Sequence, residues 1–169
     1  MLNAPYIATP LRAHDCCPIT DGASVLIMGD IDALPKTPGK RPAVIRGMDH
    51  RMEAPQLGFR QLDQSISSSQ AMEQVKSQSG IASDQYDMAE LYAPFSPQTL
   101  ILKDALGLSD AVDINPSGGP LAGHIMMSAG LDRFGMTYRA IQQGADRALV
   151  HATSGPCLQH NLLAAVEGV

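Results

Sequence analysis

Short apolar runs closed by Gly, Pro or Asp turns alternate along this chain with longer stretches that carry helix caps and glycine stops. No other feature narrows the fold as much, because strands alternating with helices predict a layered α/β domain built on a mixed sheet. The strand candidates are 24–28 (SVLIM), 43–47 (AVIRG), 86–91 (YDMAEL), 147–151 (RALVH) and 162–166 (LLAAV). Each is too short for a buried helix and is bounded by turn residues. The first two read as a β-hairpin joined through the polar turn 35–41 (PKTPGKR). The first helix has Ser68 or Ser69 as cap, Ala71, Met72 and Val75 as its apolar side and Gly80 as stop. A second runs from Ser96 through Leu106, with Pro97 at its first position and Gly107 past its end, and a third occupies 129–144.

What lies between is informative too. Residues 1–15 alternate Pro with short apolar residues and read as an extended arm that leans on the body. Residues 49–69 are polar, without periodicity, and read as a long surface loop, while 113–123 (DINPSGGPLAG) form a glycine-rich loop. At 169 residues the chain fits a single domain, 1–169, with enough apolar content, 44%, to bury a core. A net charge of −5 argues against a nucleic-acid or anionic-membrane surface, both of which need a basic field. Neither a spanning apolar segment nor a signal-peptide pattern is visible, and three cysteines in no disulfide or metal spacing suit a reducing compartment, so a cytoplasmic location is expected.

His124 ends the run SGGPLAGH, where Gly118, Gly119 and Gly123 let backbone approach a ligand closely. A histidine there can serve as acid/base or oxyanion donor, although from position alone a histidine packed beside a helix start fits equally well. Cys157 follows the turn Thr153-Ser154-Gly155-Pro156, which presents a thiol between two strands; a buried inert cysteine is the commoner arrangement. Tyr92 ends a strand at the edge where α/β sheets gather ligands. No GxGxxG, GKS/GKT, HExxH or GxSxG motif is present, and His14, His151 and His160 lack ligand partners in sequence, so no metal is expected.

Four segments, in order, carry a family resemblance: 16–28 (CCPITDGASVLIM), 89–108 (AELYAPFSPQTLILKDALGL), 114–131 (INPSGGPLAGHIMMSAGL) and 158–161 (LQHN). Together they resemble the C-terminal half of thiolases, and the first and last are closest to the sterol-carrier-type and non-specific lipid-transfer thiolase-like proteins. The resemblance implies a layered α/β/α fold with a mixed five-stranded sheet. It also implies chemistry on β-ketoacyl-CoA through an acyl-cysteine intermediate, which divides one hard step into two easier ones. The family's nucleophilic cysteine lies in the N-terminal half, and no segment here resembles its motif. By resemblance this chain supplies the acid/base and oxyanion side: His124 matches the GHP histidine, with Ile125 in place of the proline.

Departures from the pattern narrow this further. Tyr92 stands where thiolases have the asparagine of NEAF or the sterol-carrier branch the histidine of HDCF, and Pro94 falls where that branch has a cysteine. Cys157 is the replacement candidate, though TSGPCLQHN does not match CxGGG; Cys17 aligns with a serine near the pantetheine arm, and residues 61–69 occupy the place of the coenzyme-contacting MGxGP. The resemblance implies no resident cofactor, with coenzyme A entering as a substrate. It implies as partner a thiolase N-terminal-half chain, in a dimer of heterodimers that completes an acyl-CoA site. Two other readings stay open: a retro-aldolase on acyl-CoA side chains working with a zinc-ribbon/OB-fold partner that holds the CoA end, and a non-catalytic half or a piece of a longer protein.

Overall fold

The computed structural model describes residues 3–33 and 38–169. Its body is one mixed sheet of five strands in the order β3-β7-β6-β4-β5. These are β3 (Ala43–Met52), β4 (Met88–Glu90), β5 (Asp113–Ile114), β6 (Arg147–Ser154) and β7 (His160–Gly168). β4 runs parallel to β5 and β6, whereas β7 is antiparallel to both β6 and β3. Strands β3, β4, β5 and β6 therefore all end at the same edge of the sheet.

The two faces are covered by different helices, as the alternation of side chains along the central strands dictates. Leu149, Leu163 and Ala165 face α1 (Ile66–Ser79) and α2 (Ser96–Leu106), packing with Ala71, Met72, Val75 and Leu102. Their neighbours Val150, Ala164 and Val166 face the other way, onto Ile141 and Phe134 of α4 (Ala129–Gln142). A strand buried on both faces reads as a continuous apolar run, which is why 162–166 has no polar alternation. The expected α/β/α layering and mixed five-stranded sheet are both present.

Several expected elements are corrected. Residues 24–28 form no strand: Val25, Ile27 and Met28 are 84%, 91% and 73% exposed. The hairpin with 43–47 is therefore absent, and β3 pairs with β7 along its full length, from Ala43↔Gly168 to Met52↔His160. That pairing carries β3 five residues past Gly47, through Asp49, His50 and Arg51, because an edge strand tolerates polar side chains on its solvent face. The loop expected over 49–69 is shortened at both ends by β3 and α1. Residues 35–37 of the expected polar turn lie outside the described residues.

Helix α1 starts at Ile66 with Ser65 as N-cap, so neither Ser68 nor Ser69 caps it. The capping oxygen comes from across the fold: Glu53 Oε1 accepts from the Ser67 amide (3.0 Å) and the Ser67 hydroxyl (2.7 Å). A carboxylate at a helix N-terminus is favoured by the dipole as well as by the orphan amides. α2 begins at Ser96, with Phe95 as its cap residue; the third predicted helix is α4, two residues shorter than expected, and the short α3 (Gly119–Ala122) precedes it.

Residues 3–15 are more ordered than an extended arm. β1 (Tyr6–Ala8) and β2 (Leu11–Arg12) pair with each other, and a 3-10 turn follows. The arm does lean on the body: Asp15 Oδ1 accepts from the Ser96 hydroxyl (2.8 Å), the Cys17 amide donates to the Pro94 carbonyl (2.8 Å), and the Thr20 amide to the His124 carbonyl (3.0 Å).

Candidate active site

The site is built where β3, β4, β5 and β6 end, the edge at which open α/β sheets present their ligand-binding loops. β4 runs out into Tyr92, β5 into the glycine loop that ends at His124, and β6 into the turn carrying Cys157. The N-terminal arm closes over the same edge through residues 16–20.

Tyr92 and His124 come together. The phenol oxygen and His124 Nε2 share a short hydrogen bond, and the rings stack with centroids 5.3 Å apart at 24°. His124 is only 7% exposed, and its Nδ1 has no partner among the described residues. Burial, and then the positive charge of Arg133, depress the basicity of His124. Burial, and then the nearby Cys17, raise the pKa of Tyr92 above its ordinary value, partly offset by Arg133. Both shifts favour uncharged forms, so at neutral pH the pair is a phenol against an imidazole. A proton can pass along that bond, and the imidazole can deliver or withdraw one at its other nitrogen.

Cys17 belongs to the same wall, and burial pushes its thiol up, so it stands there as a protonated thiol. Cys157 is elsewhere on the edge. It is exposed, in the left-handed region at φ 52°, and makes no hydrogen bond to Tyr92, His124 or Cys17. Arg60 holds its turn from below, donating to the carbonyls of Pro156 (2.5 Å) and Cys157 (3.0 Å).

The glycines divide by cause. Gly118 (φ 90°) and Gly119 (φ 58°) turn the chain in left-handed conformations, and a Cβ on Gly119 would lie 2.6 Å from Asn115 Nδ2. The requirement there is internal, since Asn115 Oδ1 accepts from the Leu91 amide (2.6 Å) and so ties the loop to the strand before Tyr92. Gly123 is extended at φ −175°, and the nearest atom to a Cβ there is Thr20 Oγ1 at 3.7 Å. Its backbone geometry alone gives no reason for glycine.

Sequence reasoning passed over two polar clusters. In one, Glu90 and Arg133 form a buried ion pair at 2.6 Å that also engages Ser117 of the glycine loop. A carboxylate in the apolar run before Tyr92, and an arginine in register with Ala129, Thr137 and Ile141 on the buried stripe of α4, were the available signals. In the other, His151 Nε2 donates to Asn161 Oδ1 (2.8 Å), and Asn161 Nδ2 donates to Ser67 Oγ (2.7 Å) and the Leu158 carbonyl (2.8 Å). This network runs on through Glu53 to Arg60, linking the core to the Cys157 turn.

His151, fully buried, has its pKa pushed down from 6.5 to about 4 by burial. The unfolded chain therefore takes up a proton near pH 6.5 that the folded chain refuses until about pH 4, so stability falls as pH drops through that window. The expected loss is on the order of 3 kcal/mol between pH 7 and 4, read as the difference in urea-unfolding pH dependence between the natural chain and His151→Leu.

This layered α/β fold, with a phenol–imidazole pair at the carboxyl edge of its sheet, is similar to proteins named as thiolases. In sequence the chain is 27% identical over 165 residues to the acetyl-CoA acetyltransferase of Methanocaldococcus jannaschii, covering 85% of this chain and 42% of that protein. It is 21% identical over 188 residues to the benzoylsuccinyl-CoA thiolase subunit BbsB of Thauera aromatica, covering 95% and 49%. Among solved structures, the Ltp2-ChsH2(DUF35) aldolase matches with a TM-score of 0.78 at 21% identity, over 99% of this chain and 50% of that one. No family model matches. The chain thus spans about half the length of the curated relatives it matches.

Proposed function

We propose that this chain is the C-terminal-half subunit of a two-chain thiolase-like acyltransferase acting on β-ketoacyl-CoA, in the sterol-carrier-type branch. The observation that carries the proposal is the Tyr92–His124 pair: a buried imidazole and a half-buried phenol, both uncharged, at the carboxyl edge of the sheet. His124 would take the proton from an incoming thiol or deliver one to the substrate carbonyl, while Tyr92 fixes the imidazole and relays the proton. The nucleophilic cysteine would come from the N-terminal-half chain, and coenzyme A would enter as a substrate along the wall that includes Cys17, Gly118, Gly119 and Gly123.

The exposed run 24–28 favours the two-chain arrangement. It is apolar on both faces, and an open groove of about 1100 Å³ is lined by this run on one side and by Ala43, Ile45, Phe134 and Val166 on the other. Apolar surface left in this state is the mark of an interface. One of the relatives is itself named a subunit. A dimer of such pairs is the assembly we infer.

A specific observation keeps a second reading alive. Cys157 makes no hydrogen bond to the pair, and Tyr92 stands against His124 where the family resemblance implies Asn or His. A phenol–imidazole couple with Cys157 outside its hydrogen bonds suits carbon–carbon cleavage by a retro-aldol step, and the matching solved structure is named an aldolase. Such an enzyme would draw on a zinc-ribbon/OB-fold partner to hold the CoA end. The test is an assay of the reconstituted complex. Acyl transfer requires added coenzyme A and releases acetyl-CoA, whereas retro-aldol cleavage releases a ketone or aldehyde without it. Full thiolase activity from this chain as a lone monomer would overturn both.

A further inference from the structure

The Glu90–Arg133 pair is buried more deeply than any other ion pair among the described residues, with side chains 1% and 3% exposed. Taking two charges out of water costs several kcal/mol each, and an apolar pair of similar volume is often no worse for stability. Its surroundings point to the site instead. Glu90 lies two residues before Tyr92, and its carboxylate accepts from the Ser117 amide (3.2 Å), the Ser117 hydroxyl (2.8 Å) and Arg133 (2.6 Å). Ser117 belongs to the loop that leads to His124, and its hydroxyl oxygen also accepts from the Gly119 amide (3.2 Å) and from Arg133 (3.2 Å). One carboxylate thus ties the strand that ends in Tyr92 to the loop that ends in His124.

We infer that Glu90 and Arg133 are positioning residues for the Tyr92–His124 pair: by tying the exit of β4 to the glycine loop they fix the spacing of the two side chains, and they set the charge beside the imidazole. The inference rests on the acid/base role proposed for that pair. The charged and titratable groups around His124 are Tyr92 and Glu90 from β4 and its exit, Cys17 from the arm, and Arg133 with its neighbour Asp132 from α4. Arg133 is the cation among them, and it acts against protonation of His124. Glu90 and Asp132 both pair with it, at 2.6 and 2.5 Å.

The two charges therefore push in opposite directions, which a merely structural role would not produce. The experiment is NMR titration of the histidine rings in the 13C-labelled full chain, with the His124 signal identified by its loss in His124→Asn. Arg133→Met removes the cation and should raise the His124 midpoint by about half a pH unit or more; Glu90→Gln leaves the cation with Asp132 as its remaining partner and should lower the midpoint. Arg133→Lys keeps the charge and should hold the midpoint near its natural value. If a single variant fails to fold, Glu90→Gln/Arg133→Met removes both charges together, and its midpoint should lie close to that of the natural chain.

Movement of both single variants in the same direction, toward the ordinary histidine value, would mean that the pair only stiffens the loop, and would overturn the inference. So would an unmoved midpoint in all variants, or a double variant whose His124 titrates as an ordinary exposed histidine. Because the titration reads the chain without any turnover, failure of the acyltransferase reading would leave this result standing, and the reverse also holds.

Discussion

Replacing His124 with Ala in the chain paired with a thiolase N-terminal-half subunit should cut acyl transfer by about 10²–10³ while leaving the complex assembled. Removing one preorganised donor from an oxyanion site costs that much in enzymes of acyl transfer. The imidazole here is buried, uncharged and fixed by Tyr92, so its removal is not made good by water reaching the same position. Tyr92→Phe should cost less, because the imidazole stays and only its positioning bond and proton relay are lost. The check is kcat for each variant at saturating substrate, together with the size of the complex. Unchanged turnover in His124→Ala would move the chain to a structural role.

The second large effect is on stability. Asn161→Leu should destabilise the fold by roughly 3–5 kcal/mol, since it strands the His151 Nε2 donor and the Leu158 carbonyl in the core and removes the link to Ser67. Each buried group left unpaired costs about 1–3 kcal/mol. Thr137→Val provides the contrast. The Thr137 hydroxyl is buried without a partner among the described residues, so an isosteric methyl should leave stability equal or higher. Urea unfolding of both variants, at pH 7 where His151 is neutral in either state, separates the two outcomes; a loss below about 1 kcal/mol in Asn161→Leu would contradict the account.

Much of the fold was legible because apolar period and turn residues speak directly of local structure. The runs at 147–151 and 162–166 lie within β6 and β7, and Gly80 and Gly107 close α1 and α2. What was not legible depends on partners distant in sequence. β3 continues past Gly47 because β7 pairs with it, a fact carried by residues more than a hundred positions away. The oxygen that accepts from the first turn of α1 comes from Glu53, outside the local window in which Ser68 and Ser69 looked sufficient. The run 24–28 has the composition of a buried strand, but composition does not say which sheet would bury it, and this chain's own sheet does not.

The site divides in the same way. Tyr92 and His124 were each visible as residues at strand and loop ends, yet only folding shows that they touch. Cys157 had the same local signal and is held instead on a turn fastened by Arg60. Glu90 and Arg133 were the harder case. A charged residue inside an apolar stripe is usually read as surface, and here its burial follows from the matching charge on another element.

A thiolase N-terminal-half chain is the partner proposed to complete this fold. Hydrogen exchange of the chain, alone and mixed with a thiolase N-terminal-half subunit, tests it most directly. The amides of 24–28, which make no hydrogen bonds among the described residues, should exchange freely in the isolated chain and become protected by at least tenfold in a stable heteromeric complex. A chain that stays monomeric in the mixture, with 24–28 exchanging as fast as before, would contradict the account.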